Sequence, residues 1–506
     1  MTPALGVIIV VFLLAIALGL LARRGYVMNL EQWSVGGRGF GSVFVFLLMA
    51  GEVYTTFTFL GGSGWAYGKG APAFYILCYG TIAYSVSYFL LPIVWRYAQQ
   101  RRLVSQADFF VAKYESTALG VIVALVSVAA LVPYLVLQLK GLGIIVSEAS
   151  GGVITQPVAI WTSSIALVGY VVISGVRGSA WTSALKDVMI LAVAIGIGIY
   201  LPLHYFGGYR SMFEAVARAR PGALTLPAAG MSPAWFISTV LLTATGFYMW
   251  PQFFAGVYTA RNENVFRKNA VMLPLYQLVI LFVFFAGFAA VLVVPGLKGA
   301  DADLSLLRIV ERSFGSWTVG VIGAAGLLTA LVPGSMILIT SGTIIAQNIY
   351  RVMAPSASDR AVSLVARSLV PVVALAAIIL ALRGGQTLVV LLLMGYNFVT
   401  QLFPALLLSL GERRRVSAAS AIAGIVAGEL TVVFLTVTSA SVATLLPAAP
   451  QMVKDLNVGF VALGVNVVVL CVTAITTRLT RRAEIGLEDS GHGSVICQRN
   501  PLRPRR

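Results

Sequence analysis

The sequence predicts an all-α polytopic membrane protein with about thirteen transmembrane helices. Three observations carry that expectation. Hydrophobic residues make up 59% of the chain and charged residues only 10%, with a mean hydropathy of +0.92, whereas soluble domains carry about 25% charged residues. Apolar segments long enough to cross about 30 Å of hydrocarbon as helix recur from end to end. Lysine and arginine collect in alternate loops, the bias that sets orientation in a bilayer.

The first segment, residues 4–22, has no charged residue before Arg23 and no small-residue cleavage pattern, so it reads as a retained span and not a signal peptide. A polar loop reaches residue 40. Apolar segments then follow at 41–66, 73–95, 118–146, 157–174, 182–205, 234–258, 270–296, 316–349, 362–382, 387–410, 416–440 and 457–477. The arginine-rich loops, from Arg23, Arg24 and Arg38 through Arg101 and Arg102 to Arg413, Arg414 and Arg415, form one alternating set. That set is assigned to the cytoplasm, with the N-terminus outside and the C-terminus inside, in a multi-pass protein of the cell (inner) membrane. The longest outer connection, 206–233, carries a short amphipathic pattern at 211–219, and a second surface helix is expected at 300–314, with Asp301 and Asp303 near its start.

Composition also excludes. The formal charge of +17 is accounted for by orienting loops and a basic tail at 478–506, so no nucleic-acid partner is inferred. Cys78, Cys471 and Cys497, with His204 and His492, have no metal-ligand spacing and no even disulfide count. No His or Cys cluster or carboxylate pair in the apolar segments provides for acid–base or metal chemistry. A transporter is therefore expected and not an enzyme, with the bilayer as its surroundings and no cofactor.

Polar residues inside the apolar segments locate the function. Leu48 to Gly70 mixes an acid, hydroxyls and glycines in one span. Glu52 lies about 11 residues into that helix, some 16 Å at 1.5 Å per residue, where a charge costs roughly 2.5–3.5 kcal/mol. It is read either as an acid paired for packing or as a group that handles solute, ion or proton, and the second reading is preferred. The stretch from Thr243 to Phe253 holds Gly246, Tyr248, Trp250 and Pro251; Pro251 removes a backbone donor and frees the carbonyl four residues earlier. These two breaks fall in the first and sixth helices of a ten-helix block at 41–410, the arrangement that marks a transporter site. Further polar points are Pro333 and Gly334, read as a third break, with Thr329 and Ser335 beside them. Tyr134 and Gln138 share one helix face. Lys140 snorkels to the outer surface. Tyr396, Asn397 and Gln401 lie late in the block, and Lys186 and Asp187 form a charged pair at a cytoplasmic helix start that is equally readable as structural. Glu429 has no assigned role.

With those residues in place, the chain resembles the sodium:solute symporter family. The resemblance is carried by WSVGGRGFG, GEVYTTFTFLGGSGWAYGKGAPAFY, YLVLQLKGLG, MWPQFFAGVYTARNENVFRKNAVMLPLYQL and TIIAQNIYR, in that order, and covers most of residues 30–410. Within the family it is most similar to the bacterial monocarboxylate permease branch. The resemblance implies a LeuT-type five-plus-five inverted repeat, with repeat one at 41–205 and repeat two at 234–410. One extra helix precedes the repeats (1–40, with its loop) and two follow (411–477). It implies a solute site between the two broken helices, with Thr55, Thr56, Tyr134, Gln138, Gly246, Tyr248, Trp250, Tyr396 and Gln401 around it. It also implies sodium ligation by carbonyls of Gly51 and Tyr54 on the first helix and of Thr329 on the eighth. The two hydroxyl positions of the family fall on Val332 and Pro333, which have none, leaving Ser335 as the substitute. The aspartate of the family's Trp-Thr-Asp pattern is Ser183 here. The coupling ion is thus Na+ at Gly51, Tyr54, Thr329 and Ser335, or H+ carried by Glu52. The function implied is cation-coupled uptake of a small organic anion such as lactate or pyruvate. Sodium-coupled uptake of an amino acid or vitamin-like solute, and a transport-inactive sensor of the same fold, are the alternatives.

Overall fold

The computed structural model describes residues 2–411 and 415–492, with side chains to residue 479. Among these residues the chain is helical, and its one β-bridge joins Phe40 to Ala260. Ten helices among the described residues are long and apolar enough to cross a membrane. The difference from thirteen arises where the chain is interrupted. Helix Gln156–Phe206 has 51 residues, about 76 Å at 1.5 Å per residue, and it bends at Gly175 (φ 60°) with no intervening loop. A Cβ on Gly175 would lie 2.8 Å from the Trp33 carbonyl oxygen, so both the positive φ and the close approach require glycine there. Arg177 secures the bend by donating to the Gly36 carbonyl at 2.8 Å.

The two expected broken helices are present, each as two short pieces. The first runs Ser42–Gly51 and resumes through a π-turn at Phe57–Gly61 into Gly62–Lys69. Between the pieces, side-chain hydroxyls replace helical pairing. Thr58 Oγ1 accepts the Thr55 amide at 2.9 Å and donates to the carbonyls of Val53 and Thr55 at 2.9 Å, and Thr55 Oγ1 accepts the Phe57 amide at 3.1 Å. A chain rich in threonine can therefore leave the helix in an apolar interior without orphaned backbone groups. The second break runs Pro233–Gly246, a 3-10 turn at Phe247–Met249, an extended Trp250 (ψ 125°), then Pro251–Tyr258. Gln106 Nε2 donates to the freed Met249 carbonyl at 2.7 Å.

The third expected break is absent. Helix Ser316–Ile345 passes continuously through Pro333, and its most apolar stretch is entirely buried; neighbouring helices hold a proline-bearing helix straight where an isolated one would kink. It packs against Thr117–Ala149 and the bent helix to form the centre of the bundle, with the first helix, Pro3–Arg23, laid against its side. At the other end of the chain Ala418–Val437 and Val458–His492 pack on each other. The latter extends the helix into the expected tail; Arg413, Arg414 and residues 493–506 lie outside the described residues.

Both surface helices are present, at Tyr209–Ala219 and Ser305–Ser313. Asp303 does not serve its own helix, however. Its carboxylate accepts the amide of Leu388 at 2.8 Å, at the N-terminus of helix Leu388–Ser409, where a negative group is favoured. Burial pushes this carboxyl up to about 7 against the lowering effect of that amide. Lys140 does not snorkel: its ammonium donates to the carbonyls of Gly384 at 3.1 Å and Gln386 at 2.7 Å, fixing the loop before the same helix.

Candidate solute and cation site

Both breaks open onto one cavity. Its walls come from the first break (Glu52, Val53, Phe57, Thr58), the second (Phe247, Trp250, Phe253), Tyr134, Tyr396 and helix Tyr75–Arg101 (Tyr79, Tyr84). It is nearly closed, with about 20 Å³ open to a water-sized sphere, room for about one water. Its aromatic wall is continuous: Tyr134 lies 4.9 Å from Trp250, Trp250 lies 5.2 Å from Tyr396, and Tyr396 lies 5.7 Å from Tyr79, centroid to centroid. One acid faces it. Glu52 is 7% exposed; its Oε2 accepts a long bond from Gln252 Nε2 at 3.4 Å, while Oε1 has no partner. An unpaired carboxylate oxygen in an enclosed space is costly unless a ligand, ion or proton meets it.

The expected residues divide into those that meet here and those that do not. Glu52, Tyr134, Trp250 and Tyr396 line the cavity. Gln138 stands behind the break, accepting a hydrogen bond from Thr56 Oγ1 at 2.5 Å. Thr55 braces the backbone as described. Gly246 allows close approach, since a Cβ there would lie 2.0 Å from Thr400 Oγ1. Tyr248 turns from the cavity and packs on Phe247 and Phe253, with centroids 5.0 and 5.9 Å away. Gln401 also points elsewhere: its amide donates to the Asn397 and Gly459 carbonyls and accepts from Asn466, tying the block to the last helix. The two lie on turns where the sequence alone does not fix the direction of a side chain.

The second constellation lies at the other side of the first break, and sequence reading missed its centre. Lys186 is eleven residues past the Gly175 bend, not at a surface helix start, and it is fully buried. Its ammonium donates to the carbonyls of Gly51 at 2.9 Å, Tyr54 at 3.1 Å and Ala50 at 3.4 Å, and pairs with Asp187 Oδ1 at 2.9 Å. Asp187 also accepts from Tyr276 at 3.0 Å, and Tyr54 donates to the Tyr276 carbonyl at 3.1 Å. On the long helix, the Thr329 carbonyl has no helical donor, because residue 333 is proline and carries no amide hydrogen. The Thr329 hydroxyl bonds the Gly326 carbonyl at 2.5 Å in its own helix. Ser335 bonds the Val332 carbonyl and Ser179, both at 2.6 Å. A methyl of Val332 lies 3.2 Å from where a Cβ on Gly51 would be. An ammonium thus holds two of the carbonyls expected to ligate sodium, and the unpartnered Ser183 hydroxyl lies beside Gly51, 2.9 Å from the place of a Cβ there.

The model of the sodium:solute symporter family matches residues 33–428. The chain belongs to the sodium:solute symporter family. Among its relatives, YhjB of Bacillus subtilis, an uncharacterized symporter, is 59% identical over 483 residues, covering 96% of this chain and 99% of that one. A monocarboxylate transport permease protein of Rhizobium johnstonii is 28% identical over 415 residues, covering 80% and 83% of the two chains. A substrate-bound, outward-open Na+-coupled sialic acid symporter has the same fold, with a TM-score of 0.74 at 18% identity over 95% of this chain and 98% of that one. The fold is thus of LeuT type, and the protein is a multi-span membrane transporter and not an enzyme.

Proposed function

We propose that this symporter takes up a small organic anion, a monocarboxylate such as lactate or pyruvate, by alternating access driven by a cation gradient. The observation that carries the reading is the convergence of both broken helices on one small, aromatic, nearly closed cavity. The half-helix N-termini that follow the breaks, near Thr56 and Trp250, favour an anionic group, Tyr134, Trp250 and Tyr396 shape the space, and Gln138 steadies Thr56 behind it. The Rhizobium relative is named for monocarboxylate transport, and a cavity with room for about one water has to open before any such acid can enter. Repeats at 41–205 and 234–410, rocking against each other, would expose the cavity to each side in turn. Arginine-rich loops put the N-terminus outside and the C-terminus in the cytoplasm.

Glu52 is the coupling group in this reading. An ionised Glu52 and a solute carboxylate about 4 Å apart repel by about 4 kcal/mol at an effective dielectric of 20. Binding of the anion therefore favours Glu52 with a cation or a proton on it, and the groups around it are Gln252, Tyr79, Tyr84, Tyr134 and Tyr396, with Lys186 behind the break. None of the cavity groups brings a second full charge.

Labelled lactate, pyruvate and acetate are expected to enter proteoliposomes saturably and to compete with one another. Accumulation of an amino acid or vitamin while all three acids are refused would overturn the substrate class. Binding without movement of any solute would favour the sensor reading.

A further inference from the structure

We infer that Lys186 is a tethered cation standing where the family's sodium ion would bind, so that this protein works without sodium at that position. Three observations carry the inference independently of one another. The ammonium is bonded to the carbonyls of Gly51 and Tyr54, the pair that family resemblance assigns to the ion, and to a third at Ala50. On the long helix, Val332 and Pro333 occupy the two positions that the resemblance assigns to hydroxyl ligands, and the Ser335 hydroxyl is bonded to the Val332 carbonyl and to Ser179. The lysine is itself held in place by a buried counter-ion, Asp187, which is 3% exposed and fixed in turn by Tyr276.

Two positive charges cannot share the same carbonyl oxygens in an interior of low dielectric, so sodium and a charged Lys186 exclude each other. The ammonium is also the right shape for the place. It offers three donors with no acceptor, shared among Asp187 and the carbonyls of Gly51 and Tyr54 with that of Ala50 more distant, at the open end of Ser42–Gly51, where the helix dipole is negative. The charged groups that face it from every packed element are Asp187 on its own helix and Glu52 on the first break, with the hydroxyls of Tyr54, Tyr276 and Ser183 nearby. The cradle thus keeps the cation that closes the break permanently attached to the chain, and the closing contact no longer depends on an ion from solution.

The inference deepens the transport reading and rests on it only for uptake; the decisive measurement does not need the substrate. The melting temperature of the purified full-length protein is compared in sodium chloride, potassium chloride and choline chloride at equal ionic strength and pH. An ion that binds the native state raises stability with its concentration. The expected result is no sodium-specific rise for the wild type, and a sodium-specific rise for Lys186→Ala, whose cradle keeps its three carbonyls and Asp187 but has room for an ion. A sodium-specific rise in the wild type overturns the inference, and so does a folded Lys186→Ala protein that remains blind to sodium. If Lys186→Ala does not fold, the wild-type comparison decides alone. A wild type blind to sodium that also refuses every carboxylate leaves the lysine assignment standing and removes the substrate reading.

Discussion

Lys186→Met in sodium-free buffer is expected to destabilise the protein by about 3–5 kcal/mol, the loss seen when one partner of a buried ion pair is removed. The mechanism is local. Asp187 is left 3% exposed with Tyr276 as its remaining donor, and the carbonyls of Gly51 and Tyr54 lose theirs. With an unfolding entropy of about 2.1 cal/mol/K per residue, such a loss lowers the melting temperature of a chain this long by roughly 3–5 °C. Adding Asp187→Asn should return at least half of that fall, because a neutral amide tolerates the site better than an unpaired carboxylate. A double variant no more stable than the single one would show that the lysine acts through packing and not through its charge. Uptake should be lost in both, since the first broken helix then lacks the cation that closes its gap.

Glu52→Gln is expected to separate uptake from its driving force. Glutamine keeps the shape of the side chain and can still bond Gln252, but it takes up no proton and carries no charge. One coupled proton per monocarboxylate and a gradient of one pH unit correspond to about 1.4 kcal/mol, or about ten-fold accumulation. That accumulation should fall to equality across the membrane in the variant, while exchange of labelled for unlabelled solute continues within a few-fold of the wild-type rate. Gradient-driven uptake and exchange both persisting at wild-type rates would remove Glu52 from coupling.

Much of this arrangement was legible in the sequence, for reasons that residues supply. Glu52 amid glycines and threonines, and Pro251 after Gly246, cannot sit in an apolar segment as regular helix without leaving backbone groups unpaired, so both breaks announced themselves. Helical spacing put Tyr134 and Gln138 on one face, and that face meets the first broken helix. Lys186 was hidden for a physical reason. Arg177 looks like a loop between two spans, which places everything just after it near a surface; the chain instead turns at Gly175 within a single turn of backbone and is helical again at once. Pro333 misled in the opposite direction, because its break is suppressed by the helices that enclose it. Gln401 and Tyr248 were placed correctly along the chain but turn away from the cavity, and only the packing of the last helix and of Phe247 and Phe253 decides that.

In the proposed cycle a small carboxylate moves through the cavity without sodium at the Lys186 cradle, and Glu52 carries the coupling proton. The direct measurement is accumulation of labelled lactate or pyruvate in proteoliposomes under a pH gradient alone, acidic outside, and under a sodium gradient alone, with membrane potential held at zero. Accumulation well above the external concentration under the pH gradient, and none under the sodium gradient, is the predicted result. Accumulation driven by sodium with no response to the pH gradient would contradict it.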